Sequence, residues 1–383
     1  MLNKLSAIFS FPVSWIKILV IALGISLIGV GVFTSVKPSS AFSSEQTGAD
    51  QAGPNDLCLN CHETPDTFIK LKSAERLNLF VDSYLYNTSV HGAQGTTCVQ
   101  CHTNISGYPH PDLEAATQRE FTVQQNQACG ECHADNYQST LDSVHQAARD
   151  EGNLNAAVCT DCHGAHDVAA SSIPRSNVPQ LCGTCHSQIF ELYKTSVHGG
   201  DLLDEGNPDV PTCTDCHGIH EIRGPLLDEF HLFSPLICAN CHTDKNITDK
   251  YGLNPYVYET YLSDFHGTTV TLFEKVSPDQ QTNKPVCIDC HGVHDIRRTD
   301  DPKSTVIQEN LISTCQRCHP NAAGDFPSAW LGHYSPSWEK TPVVSGVNLF
   351  YKIVIPVTVF GMLMFIIPDG FRRIKKRSDK GES

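Results

Sequence analysis

All 18 cysteines of the 383-residue chain fall into copies of one pattern, C-x-x-C-H, and none is left over. The nine copies start at Cys58, Cys98, Cys129, Cys159, Cys182, Cys213, Cys238, Cys287 and Cys315. Their second cysteines are Cys61, Cys101, Cys132, Cys162, Cys185, Cys216, Cys241, Cys290 and Cys318. Each is followed at once by a histidine: His62, His102, His133, His163, His186, His217, His242, His291 and His319. Random placement of these residues would give about 0.04 copies, so the pattern is a chemical signature. Two thiols beside a histidine can add to the vinyl groups of a haem while the imidazole binds its iron, which is how haem c is attached. Zinc ribbons pair C-x-x-C units without requiring a histidine after every second cysteine. Redox-active C-x-x-C pairs need no such histidine either. With every cysteine used, a disulfide framework, a free catalytic thiol and a cysteine-held iron–sulfur cluster are excluded. Nine covalent haem c groups are expected.

Ten histidines lie outside the motifs and bear on the other face of each iron. His91, His145, His198 and His266 close similar helical-looking stretches, and His333 sits in Leu-Gly-His-Tyr. His166, His220 and His294 occur in C-x-x-C-H-G-x-H. The two axial ligands of one iron approach opposite faces of the porphyrin. Three residues of chain reach only about 10 Å when extended, too little to pass round its edge. These three histidines are therefore expected to serve a different iron from the histidine beside them. After His102 no histidine comes at that spacing, and His110 is the natural substitute. That makes nine distal candidates for nine irons. His231, in Glu-Phe-His-Leu-Phe, is left over and reads as a packed or surface residue, with replacement of His110 as its alternative role. Methionine ligation, which raises haem potential, is excluded in the haem-bearing region, because Met1, Met362 and Met364 are the only methionines. Every iron is then bis-histidine or has a weak or open sixth site.

These residues need elements to position them, and the chain supplies a repeat. Tyr-Leu-Tyr-Asn-Thr-Ser-Val-His-Gly precedes Cys98, Thr-Leu-Asp-Ser-Val-His precedes Cys159, Tyr-Lys-Thr-Ser-Val-His-Gly precedes Cys213, and Tyr-Leu-Ser-Asp-Phe-His-Gly precedes Cys287. A plainer motif comes before each, at Cys58, Cys129, Cys182 and Cys238. The module is plain haem, helical stretch, second histidine, second haem, and a half-module at Cys315 completes nine. Periodicity of this kind means stacked units rather than one large core. About 301 residues from Phe42 to Pro342 serve nine haems, roughly 33 each. The expected fold is mainly α with extensive loops: a haem-cored repeat of short helices, almost no sheet, and one or two transmembrane helices. The frequent glycines and prolines, 26 and 22, suit such a loop-rich chain.

Charge and hydropathy divide the chain further. Residues 42–342 hold 39 Asp and Glu against 17 Lys and Arg, a formal charge of −22 that repels nucleic acid and keeps the surface soluble. Ile16 to Phe33 is almost wholly apolar, and Ser39-Ser40-Ala41 follows. Residues 1–41 are thus a signal peptide or an N-terminal membrane anchor. Either places the nonahaem domain, 42–342, across the membrane. Residues 343–371 read as a transmembrane helix, interrupted by Lys352, which can snorkel. Arg372, Arg373, Lys375, Lys376 and Arg377 then make 372–383 a basic cytoplasmic tail by the positive-inside rule. A buried amphipathic terminal helix is the competing reading. Neither apolar segment contains histidine, so the chain cannot hold a membrane haem b by histidine ligation.

The chain resembles the multihaem cytochromes c of the c3-like, doubled C-x-x-C-H type. Its Ser-Val-His-Gly stretches and the Cys-Thr-Asp-Cys-His-Gly-x-His runs at Cys159 and Cys213 look like those of periplasmic decahaem respiratory cytochromes. The resemblance covers roughly Asp56 to Tyr334. It is specific for haem content and ligation and loose for physiological role. Nine motifs and a C-terminal membrane segment depart from the soluble decahaem proteins. The departures put a porin-inserted role in doubt and suggest a subunit of a membrane quinol or respiratory complex. No C-x-x-C-K variant, the mark of the catalytic haem in one family of multihaem nitrite reductases, is present. The expected function is electron transfer between a membrane partner, a quinol-oxidising or cytochrome b subunit, and a periplasmic or extracellular electron-transfer protein. The alternative is a multihaem reductase of a small oxyanion or sulfur compound, with one open-site haem. Electrons are expected to cross the membrane boundary near the haem at Cys315, with His333 as a candidate ligand beside it.

Overall fold

The computed structural model describes residues 53–170, 173–224, 228–276, 284–329, 332–334, 337–339 and 341–378. The N-terminal segment, read as signal or anchor, lies outside the described residues. The rest is a succession of short helices and loops. The one sheet among the described residues is a hairpin, β1 (Phe68–Lys70) and β2 (Arg76–Asn78), with Ile69 opposite Leu77. The expected mainly α, nearly sheet-free architecture is what the chain adopts.

The helical-looking stretches each consist of two helices. Ser83–Thr88 stops at Ser89, whose backbone is extended, and Val90–Ala93 begins at once. The Ser89 hydroxyl accepts from Gly92 N–H at 3.1 Å, satisfying one of the amide groups that a helix start leaves unpaired. Ser143, Ser196 and Asp264 do the same for Gln146, Gly199 and Gly267, at 3.1, 2.9 and 2.8 Å. The cap therefore fixes the following histidine two positions into a new helix, pointing away from the old one. A Cβ added at Gly92, Gly199 or Gly267 would collide with the carbonyl oxygen of Tyr86, Tyr193 or Tyr261, so glycine permits the sharp break.

Those three tyrosines are buried and pin the next segment. Their hydroxyls donate to the carbonyls of Thr96, Pro211 and Pro285, at 2.5, 2.7 and 3.0 Å. Each acceptor lies two residues before the second haem motif of its module. The second module has Thr140 in place of the tyrosine and Gln146 in place of the glycine, so it forgoes both devices.

Conventional core is sparse. Two small clusters of buried apolar residues occur, Tyr193 with Leu202 and Val210, and Leu232 with Val270 and Val286. Beyond them the helices are held by caps, turns and the motifs themselves. At the C-terminus Pro342 opens a helix that runs to Ser378, a position where its missing N–H costs nothing. Pro342–Ile374 is long and apolar enough to cross a membrane, with mean hydropathy 2.2 and none of its apolar window buried. The helix passes the expected end at 371, helped by Arg373 bonding Asp369 one turn back at 2.7 Å. The basic segment thus starts as helix rather than as a loose tail.

Gly199→Ala should cost about 1–3 kcal/mol through overpacking against the Tyr193 carbonyl. Thermal melting followed by circular dichroism measures it. An unchanged melting temperature would show that the helix break does not depend on glycine.

Candidate haem-binding sites

The second motif of every module is shaped by its own third residue. Val158 N–H donates to Asp161 Oδ2, Thr212 N–H to Asp215 Oδ2 and Val286 N–H to Asp289 Oδ2, all at 2.7 Å. Gln100 Oε1 accepts from Thr97 N–H at 2.6 Å in the first module. This is the reaching-back half of a capping box, and it holds the one-turn helix that presents both cysteines and the histidine. Glycine ends three of these helices: Gly164, Gly218 and Gly292 have φ of 74°, 83° and 84°. That left-handed turn, open to glycine without strain, swings His166, His220 and His294 away from the motif they follow.

The destinations of the ten outlying histidines are specific. Among the described residues, every motif histidine faces one of them. The ring centres are 6.0 Å apart for His62–His110, 6.2 Å for His102–His166, 6.1 Å for His133–His91 and 6.4 Å for His163–His220. They are 6.2 Å apart for His186–His145, 6.0 Å for His217–His294 and 6.3 Å for His242–His198. The last two pairs are His291–His333 at 6.2 Å and His319–His266 at 6.4 Å. Two imidazoles on opposite sides of one metal have ring centres about 6 Å apart, from two metal–nitrogen bonds of about 2 Å and about 1 Å more within each ring. The side chains therefore fit haem iron held between two histidines, with a thiol pair beside each.

The pairing follows a rule that the linear sequence does not display. Neighbouring modules exchange histidines. The first module lends His91 to the plain motif of the second and receives His166 for its own second motif. The second and third exchange His145 and His220, and the third and fourth exchange His198 and His294. A backbone hydrogen bond staples each exchange: Val90 N–H to Val168 O at 2.8 Å, Val144 N–H to Ile222 O at 2.9 Å, and Val197 N–H to Ile296 O at 2.8 Å. The ends differ. His110 faces His62 of its own module. His333, although close in sequence to Cys315, faces His291, and His319 takes His266.

Several rings are held for ligation. Nδ1 of His62, His110 and His217 bonds the carbonyls of Leu79, Gly107 and Arg223, at 2.8, 2.8 and 2.7 Å. That leaves Nε2 free to face the partner ring, as an outer hydrogen bond to a metal-binding histidine does. Burial, and then the facing His242, push His198 down to about 4. Burial, and then the facing His333, push His291 down to about 4 as well. Both stay neutral, the form that binds iron.

The thiols line up in chain order. Within modules, Cys58 meets Cys98, Cys129 meets Cys159, Cys182 meets Cys213 and Cys238 meets Cys287, each pair in hydrogen-bonding reach. Between modules, Cys101 lies near Cys129 and Cys132, Cys162 near Cys182 and Cys185, Cys216 near Cys238 and Cys241, and Cys290 near Cys315 and Cys318. His231 takes no part in the facing pairs and does not replace His110. Its Nε2 bonds Asp289 Oδ2 at 3.0 Å. Arg119 and Arg175 hold Asp161 and Asp215 in the same way, at 2.8 and 2.9 Å. These cation–carboxylate pairs and the buried tyrosines escaped the sequence reading. The tyrosine five residues before each of His91, His198 and His266 was the visible signal.

A family model described as the doubled CXXCH motif matches residues 150–190, which hold the motifs at Cys159 and Cys182. The chain is a multihaem c-type cytochrome. It is 26% identical over 175 residues to the cytochrome c-type protein NrfB of Haemophilus influenzae, covering 40% of this chain and 73% of that one. No solved structure matches it. Haem c in this cytochrome is held through the C-x-x-C-H motifs, and the stretch recognised as doubled joins two neighbouring modules rather than lying within one.

His294→Ala in the cytochrome should convert one haem from low to high spin and leave the others unchanged. His294→Met should instead raise the potential of that one centre. Electron paramagnetic resonance of the oxidised protein counts the centres. No change, or the loss of two, would contradict the facing geometry.

Proposed function

We propose that this chain is a membrane-anchored nonahaem electron carrier, passing electrons between a quinol-linked membrane partner and a periplasmic or extracellular redox protein. The observation that carries the reading is the complete facing of motif histidines by outlying ones, together with the unbroken succession of thiol pairs. Bis-histidine ligation at nine sites, through the pairs described above, leaves no sixth position for a substrate. It therefore favours a carrier over a reductase. Cysteines that meet within modules and lie near one another between them, from the first motif to the last, favour one continuous path, because electron transfer needs haems close together.

Haem supplies the one-electron chemistry when bound, and the polypeptide supplies spacing, ligation and field. His/His ligation without methionine favours low potentials. Residues 42–342 form the haem domain on the outer face of the cytoplasmic membrane, and 343–371 anchor it. The basic residues from Arg372 onward lie in the cytoplasm, in line with the charge rule for membrane helices. The last motif is joined to Pro342 by a short stretch of chain, so its haem lies close to the bilayer. The terminal helix carries no histidine. A quinol-oxidising or cytochrome b partner must then bring electrons to or from the membrane interior.

Two measurements test this reading. The oxidised protein should be low-spin throughout, with a mass showing nine haems; about one ninth high-spin haem would instead support a reductase. A chain ended at Pro342 should keep its haems and spectrum but lose reduction by quinol in reconstituted membranes. Undiminished reduction would make the helix a tether only.

A further inference from the structure

Among the described residues His231 is the histidine that faces no other histidine, and its place in the repeat gives it a different task. It lies seven residues before Cys238 and bonds Asp289, the third residue of the motif at Cys287. Arg175 lies seven residues before Cys182 and bonds Asp215, the third residue of the motif at Cys213. Arg119 bonds Asp161 in the module before, from ten residues ahead of Cys129. In the first module the third residue is Gln100, which has no charge. The carboxylate of the second motif thus faces a permanent cation in the second module, another in the third, and in the fourth a group whose ordinary titration lies near neutrality.

We propose that His231 makes the haem site at Cys287, Cys290 and His291 a proton-coupled electron-transfer centre, distinct from its arginine-clamped counterparts. The proposal rests on the haem-carrier reading above and adds to it where a proton moves. The neutral imidazole donates Nε2–H to Asp289. When one electron arrives from the preceding carrier, His231 binds a proton about threefold more tightly, so that on average a fraction of a proton is taken from solvent onto Nδ1 and returned on reoxidation. The added negative charge of the electron is then partly balanced. At the arginine-clamped sites it is not.

The surroundings permit this exchange. The His231 and Asp289 side chains are 34% and 37% exposed, open enough for solvent to deliver the proton yet partly shielded from it. The Asp289 carboxylate also accepts from Val286 N–H, Arg317 donates to the Asp289 carbonyl, and the phenol of Tyr261 lies near enough to feel the carboxylate. The bond to Asp289 holds His231 above the ordinary histidine range, against the opposing effect of burial. Burial pushes the Asp289 carboxyl up, but the bonds from His231 and Val286 outweigh it and leave it below the usual range. A second contact widens the reach of this segment. Phe230, immediately before His231, lies flat on His217, with ring centres 5.4 Å apart and planes 9° apart. The helix Asp228–His242 that bears both residues ends in the motif of Cys238. Charge at His231 therefore acts beside three successive sites, most directly at Cys287.

The sign is fixed: protonated His231 favours the reduced site, so the potential rises as pH falls. The test is a redox titration of the full haem-loaded protein followed by electron paramagnetic resonance, from about pH 5.5 to about pH 9, either side of the usual histidine range. Wild type is compared with His231→Arg and His231→Gln. Arginine already occupies the equivalent place in another module, and the haem count and low-spin spectrum check that each variant folds. In wild type one centre should change its reduction equilibrium across this range by about threefold more than in either variant, roughly 28 mV at 59 mV per tenfold. His231→Arg should hold that centre near its acid value and His231→Gln near its alkaline value. Equal pH dependence in all three proteins, or none in wild type, overturns the proposal. Failure of the haem-carrier reading would show separately, as a high-spin fraction in wild type before any titration.

Discussion

A rigid plate with one ligand on each face sets the terms for this chain. The two histidines of one iron must reach it from opposite sides, and a few residues of backbone cannot go round the edge. A motif and the histidine just after it are thereby forced onto different irons. Once that is so, a module cannot be complete by itself. His91 must find its partner in the second module, and His166 must reach back into the first. The backbone bond between Val90 and Val168 is what this exchange looks like in the main chain, and it recurs at the next two junctions, from Val144 to Ile222 and from Val197 to Ile296. Stacking neighbours is the source of stability in repeat proteins. Here the contact between neighbours includes the ligands themselves.

Most of the remaining local structure serves that exchange. Serine or aspartate caps stop one helix and start another, so that the lent histidine projects outward. Glycine after the motif histidine turns the chain toward the neighbour. Buried tyrosine hydroxyls hold the strand that leads into the second motif. Few apolar residues are left for a polypeptide core, and the two clusters lie in the third and fourth modules. Haem is large and apolar over most of its surface, and its burial at these motifs would supply hydrophobic free energy that the side chains do not. Covalent attachment would then be coupled to folding, as for other domains whose cofactor fills the space of a core.

Residue types and spacings disclosed the cofactor, the likeness of the modules and the short-helix character, because each depends only on local pattern. They also excluded same-iron pairing for His166, His220 and His294, because that exclusion is a matter of chain length. They did not disclose which iron each histidine faces. His333 shows why. It is close in sequence to Cys315 and yet faces His291, because the half-module and the fourth module exchange histidines, His333 for His266. The single helical stretches before His91 and His198 concealed a break at serine, since Ser-Val-His reads equally well as helix interior or helix start. His231 faces none of the other histidines among the described residues, and its bond to Asp289 spans 58 residues and has no local signature.

The third residue of the doubled motif joins the two levels of this architecture. Its side chain reaches back to the amide before the first cysteine and so shapes the helix that holds the haem. The same carboxylate, once fixed, has a lone pair left for a cation from the preceding segment. One group thus does a uniform job at every site, while the residue that faces it changes from module to module. Were all irons to share the same two ligands, as the proposed function has it, differences in potential would have to come from charge, burial and hydrogen bonds around them. A repeat with fixed ligation can then still grade its sites. The residues that differ between sites lie far from the motifs in sequence: Arg119, Arg175 and His231 opposite three carboxylates, with an uncharged Gln100 as the third motif residue in the first module.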